Sequence, residues 1–152
     1  MKPATLAALA ALIGGLLLIF GDSAPTPPTP VVPVDPVITE PGNRFLLVYE
    51  AEEKSEYPAE QAAIISSGNL AEYLDEHCVT STDGPEWRMW DDDVRLTDSS
   101  GPLVSPVWIE AMALPRTSLP WLIVTNGVDD GYTGPLPTTE SDVMAIVRRV
   151  FE

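Results

Sequence analysis

Apolar residues are distributed along this chain in three textures. Residues 4–20 form one uncharged, almost wholly apolar run, broken only by Thr5 and the Gly14-Gly15 pair. Residues 24–42 have no period at all and carry seven prolines. From residue 43 onward, short runs of β-formers alternate with stretches whose apolar residues recur every three or four positions, the pattern of one α/β domain of ordinary size.

Within residues 43–152 the run Arg44-Phe45-Leu46-Leu47-Val48-Tyr49-Glu50 reads as a buried, central strand. Pro58 suits the first turn of a helix through Ile65, interrupted by Ser66-Ser67-Gly68, with Asn69 recapping it and Glu72 completing a capping box. Glu86-Trp87-Arg88-Met89-Trp90 is a second strand after the Asp83-Gly84-Pro85 turn, and Ser105-Pro106 starts a helix that Pro115 ends. Trp121 to Val124 form a third strand, and Asn126-Gly127 leads through a hairpin to a short fourth near Tyr132. Thr139 caps a last helix whose Val143, Ile146, Val147 and Val150 share one face.

The order is thus β-α-β-α-β-β-α. A helix between two strands makes them parallel and the hairpin adds an antiparallel pair, so the expectation is a small mixed sheet covered by helices. This order, with Leu119-Pro120 opening the third strand and Thr125-Asn126-Gly127 closing it, resembles the thioredoxin-like fold over residues 44–152. The resemblance implies a three-layer α/β/α sandwich, preceded here by the N-terminal apolar helix. It also implies that Pro120 is cis and lies beside the family's redox centre.

That centre is a Cys-x-x-Cys pair in the loop and first turn after the first strand. Here the loop reads Glu52-Glu53-Lys54-Ser55-Glu56-Tyr57-Pro58, without a cysteine. Dithiol exchange needs an attacking thiolate and a second, resolving thiol, and neither serine nor tyrosine replaces them. The surface that the resemblance leaves for binding is Ser55, Glu56, Tyr57 and Pro58 together with Leu119 and Pro120. Cys78, the single cysteine, is the one candidate for redox chemistry, through a mixed disulfide with a partner.

The apolar run is borderline in length for crossing a bilayer and also suits a signal peptide. Lys2 precedes it and Asp22 follows, which orients the remainder to the extracytoplasmic side. Asp22 and Pro25 make poor neighbours for a cleavage site, so an uncleaved anchor over residues 1–23 is the first expectation and a secreted or periplasmic product the second. A helix merely buried in protein is the third. The prolines of residues 24–42 favour an extended, polyproline-like spacer.

Charge narrows the partners. Residues 43–152 hold seven basic and twenty acidic residues, a net of −13, which repels nucleic acid and anionic lipid and leaves basic or neutral partners open. No cofactor motif is present. Asp91-Asp92-Asp93 with Asp98 misses the EF-hand pattern because Leu96 stands where the glycine belongs, and His77 beside Cys78 lacks partners at metal spacing, so no metal site is assigned. A Ser-His-acid device has only His77 to use, and no Gly-x-Ser-x-Gly elbow is present. The first functional expectation is therefore a membrane-tethered, redox-inactive thioredoxin-like module that binds or positions another protein. The alternatives are a single-cysteine thiol-redox protein using Cys78, or a structural component of an envelope or viral assembly.

Overall fold

The computed structural model describes residues 36–152. The apolar run and most of the proline-rich stretch, with the expectations attached to them, lie outside the described residues. Among the described residues no helix is long and apolar enough to cross a membrane.

The described residues form a mixed α/β domain whose main sheet has four strands, with four helices around it. Strands β1 (Arg44–Tyr49), β4 (Trp87–Asp91), β7 (Trp121–Thr125) and β8 (Gly131–Pro135) stand in the order β4-β1-β7-β8. β1 runs parallel to β4 and antiparallel to β7, and β7 pairs antiparallel with β8. The helices are α1 (Ala59–Ile64), α2 (Gly68–His77), α3 (Pro106–Met112) and α4 (Glu140–Phe151). Two minor ladders fall in the connections: β2 (Thr80–Ser81) with β3 (Gly84–Pro85), and β5 (Thr97–Asp98) with β6 (Gly101–Pro102).

Alternation along the inner strands explains why both faces of the sheet are covered. Phe45 and Leu47 of β1, with Leu122 and Val124 of β7, face a core built with Ile64, Leu70, Leu74 and the buried stripe of α4. Leu46, Val48, Trp121 and Ile123 point the other way, against Val107, Trp108, Ala111 and Met112 of α3. A strand buried on both sides reads as a continuous apolar run, which is the texture of residues 45–48. The second core also takes in Ile38, so packing reaches into the stretch read as spacer.

Local capping departs from expectation at α2. Asn69 lies inside the helix, and Ser67 is the cap, its hydroxyl accepting the Leu70 amide at 3.2 Å and donating to Glu140 at 2.8 Å. Gly68 tolerates the first helical position, so the better-placed hydroxyl before it wins and Glu72 stands outside any capping box. At α3, Ser105 is the cap residue but its side chain makes no capping bond. Thr139 caps α4 as expected, accepting the Asp142 amide at 3.2 Å, and the Leu119-Pro120 peptide is cis.

Candidate functional site

Two parallel neighbours deliver their carboxyl ends to the same edge of a sheet, which is where ligands of open α/β sheets gather. Here that edge is made by β1 and β4, with Tyr49 opposite Asp91 in the ladder. β7 enters at the same end, because Val48 is paired with Trp121 and Pro120 immediately precedes it. Segments 55–58 and 119–120, more than sixty positions apart in the chain, are thus brought to one end of the sheet.

The residues chosen from sequence differ in what they present there. Ser55, Glu56 and Pro58 are exposed, Tyr57 and Leu119 are half-buried, and Pro120 is buried. Pro120 shapes this end without facing solvent, its carbonyl accepting the Leu136 amide at 2.9 Å. Tyr57 Oη accepts the Glu50 amide at 2.8 Å, and the same hydroxyl is 3.3 Å from the Glu50 carbonyl oxygen. That pair of contacts pins the loop 51–57 back on the end of β1. Burial pushes the Tyr57 hydroxyl above its ordinary value of 10.0, so it stays protonated and able to donate. Lys54 reaches away, its ammonium donating to Ser66 at 2.9 Å.

The sequence reading did not assign Glu50, Asp91 and Asp92 to this end. Each places one carboxylate oxygen within 4.8 Å of the others, and all three side chains are half-buried. The signal was present in the pattern, because an acid follows the last apolar residue of each of two strands expected to be parallel. Asp91 is used by the backbone: it accepts the Ala51 amide at 2.7 Å and the Asp93 amide at 3.2 Å. A hydrogen bond from the Asp93 carboxyl and then these two amides hold Asp91 below its ordinary value of 3.8. The same shared hydrogen bond, followed by the charges of Asp91, Asp92 and Glu52, raises Asp93. At Glu50 the Glu52 amide pulls the carboxyl down, but the bond shared with Asp92, slight burial and two neighbouring charges outweigh it, so Glu50 ends above 4.5.

Chemically this is an acidic rim around an exposed loop. Each of the three brings one oxygen to a common point, and backbone amides already engage Asp91. A Ser-His-acid device is not assembled at this end. The one histidine is engaged on α2, with Nδ1 2.9 Å from the Tyr73 carbonyl oxygen and its ring stacked on Tyr73 at 3.9 Å between centroids. Cys78 lies at the C-terminal cap of α2 within the first core, only 7% exposed. Burial, then the nearby charges of Asp75 and Glu86, push its thiol up to about 12.

Comparison with protein-family models, with curated proteins and with solved structures finds no match.

Proposed function

We propose that this chain is a membrane-tethered, redox-inactive domain of thioredoxin-like fold that binds or positions another protein outside the cytoplasmic membrane. The observation that carries the reading is the arrangement of the main sheet: β1 parallel to β4, then the antiparallel β7-β8 hairpin, then α4. It agrees with the mixed sheet of a parallel pair and an antiparallel hairpin expected from the sequence. At the place where the family carries its cysteines, this chain presents a loop held by Tyr57 and rimmed by Glu50, Asp91 and Asp92.

A loop fixed to a rigid strand end, with no thiol on it, suits recognition better than electron transfer. The negative rim steers toward it a partner segment that is basic or neutral. Cys78 is a poor nucleophile in this setting, because a thiol raised to about 12 yields almost no thiolate near neutrality and its sulfur is enclosed. The tether rests on residues 4–20 and their flanking charges.

The test uses the full chain, tagged and purified from its membrane, beside Ser55→Arg and Glu56→Arg variants. Both positions are exposed, so the substitutions leave the core intact. A companion protein retained by the unaltered chain and lost from both variants supports the reading, whereas no companion, or one retained equally by all three, contradicts it. Carbonate extraction tests the tether, and release of an N-terminally trimmed protein counts against it.

A further inference from the structure

The two edges of the main sheet are finished differently. On β8, the Asn126 amide donates to the Asp130 carbonyl and the Leu136 amide to the Pro120 carbonyl, so Gly131, Thr133 and Pro135 turn their backbone outward. That edge is closed. The Gly131 amide donates to Asp130 Oδ1 at 2.7 Å and its carbonyl accepts from Arg149 Nη2 at 3.2 Å. Pro135 has no amide, and its carbonyl accepts from Tyr132 Oη at 2.7 Å, which leaves Thr133 alone.

The β4 edge is open. The Phe45 amide donates to the Glu86 carbonyl at 3.3 Å and the Asp92 amide to the Tyr49 carbonyl at 2.9 Å, so Trp87, Met89 and Asp91 turn their backbone away from β1. The Trp87 carbonyl accepts from Arg88 Nη1 at 2.7 Å and the Asp91 carbonyl from the Val94 amide at 3.2 Å. The amides of Trp87, Met89 and Asp91, and the Met89 carbonyl, have no partner among the described residues. No described strand runs outside β4, and each of its residues is half-buried. Donors and an acceptor in line on an exposed edge are the template for another extended backbone.

Side chains narrow the occupant. Trp87 and Met89 pack against the first core, and Asp91 follows on the same face by strand alternation. Trp87 Nε1 donates to the exposed Asp75 carboxylate at 2.8 Å, so an acid stands at each end of an apolar patch centred on Met89. Arg88, the one cation of the strand, is engaged, donating also to the Pro85 carbonyl at 2.8 Å and lying 5.4 Å from the Trp108 ring centroid. An antiparallel second copy centred on Met89 would set acid against acid, and a net charge of −15 on each chain adds to the repulsion. Residues 24–35 of this chain fit poorly too, because prolines at 25, 27, 28, 30 and 33 remove the donors that the Met89 carbonyl needs.

We propose that the β4 edge adds an extended segment of a partner protein in which two basic residues flank an apolar one, in the order basic-x-apolar-x-basic. The segment's backbone pairs with Trp87, Met89 and Asp91, its apolar residue lies on Met89, and its cations lie beside Asp75 and Asp91. The pattern reads the same in both directions, so it suits a parallel or an antiparallel strand. This surface is the side of the sheet, and it stands whether or not the loop after β1 binds a companion.

The test is a titration of the ¹⁵N-labelled full chain in detergent micelles with acetyl-Thr-Lys-Thr-Val-Thr-Lys-Thr amide, read by amide shifts and amide exchange. One control peptide has glutamate for both lysines, and another is N-methylated at the valine and its two neighbouring threonines. Saturable shifts and slowed exchange at Trp87, Met89 and Asp91 support the proposal, together with a loss of about tenfold or more in affinity for each control. Asp75→Asn keeps an acceptor for the Trp87 indole and removes the charge at an exposed position, so it should weaken binding by about two- to fivefold. No saturable shift, equal binding of the N-methylated peptide, or slowed exchange at Thr133 in place of β4 overturns the proposal. Equal binding of the glutamate peptide, or undiminished binding by Asp75→Asn, overturns the assignment to a basic segment. A dimer in sedimentation whose Met89 amide is protected before peptide is added assigns the edge to a second copy and also overturns it.

Discussion

Asp91 accepts the backbone amide of Ala51 at 2.7 Å, so the last residue of one strand holds the first residue of the loop that leaves its parallel neighbour. The bond is made by the carboxylate, and its strength follows pH. Asp91 is held below its ordinary value of 3.8 in the folded chain, so its contribution is fully present above that value and is lost as pH falls through the lower, folded one. Urea unfolding of the full chain and of Asp91→Asn, from neutral to acid pH, should show the unaltered chain more stable at neutrality. The gap closes in acid; a gap constant across the series contradicts the account.

Glu50 carries the opposite sign. Its carboxyl is raised, so as pH rises the folded state opposes its ionisation and stability is lost. Glu50→Gln keeps an acceptor for the Glu52 amide, which the native carboxylate holds at 3.2 Å, and adds a donor toward Asp92. The variant is expected to be more stable than the unaltered chain near pH 7 and to lose that advantage in acid. A less stable variant at neutrality argues against carboxylate crowding at this end.

Thr125 is fully buried, and its hydroxyl donates to the Ile38 carbonyl at 3.2 Å while accepting the Gly127 amide at 2.9 Å. Valine has the same shape and leaves both groups unpaired, so Thr125→Val should cost about 1–3 kcal/mol in denaturant unfolding. Gly127→Ala should cost more. Gly127 has φ +71°, and a Cβ there would collide with the Glu40 carbonyl oxygen, a backbone atom that cannot step aside. Equal, small effects at both positions contradict the close docking of residues 38–42 on this turn.

Cys78 should behave as an enclosed, protonated thiol. Reaction of the native full chain with a disulfide reagent at pH 7.5 is expected to be slow and to accelerate sharply on addition of denaturant. Labelling of the native chain at the rate of an exposed thiol contradicts this, and would reopen the mixed-disulfide alternative.

What sequence made legible follows the physics of each segment. β1 and β7 announce themselves because a strand buried on both faces must be apolar at every position, and α4 because its buried stripe is regular. The parallel pairing of β1 and β4 followed from the helices between them. The α2 cap was misplaced because Ser67 and Asn69 are both good caps, and only the backbone entering through Gly68 decides between them. The minor ladders β2-β3 and β5-β6, two residues per strand, are too short to leave a periodic signature. At the site, the sequence names segments 55–58 and 119–120 as one binding surface; the fold brings both to one end of the sheet, with Pro120 buried there. The burial of Arg44 and Glu86 was not legible, since charged residues at strand starts are ordinarily solvated.

The central claim is that the loop after β1 is a protein-contact surface that works without a thiol. Its most direct test is a photo-crosslinking residue placed at Ser55 of the full chain in the cells that make it, with the same residue at Val128, 69% exposed, as the control. The account predicts a discrete adduct from position 55, resistant to reductant, unchanged by Cys78→Ser and absent from position 128. An adduct formed equally from both positions, or one abolished by reduction or by Cys78→Ser, contradicts it.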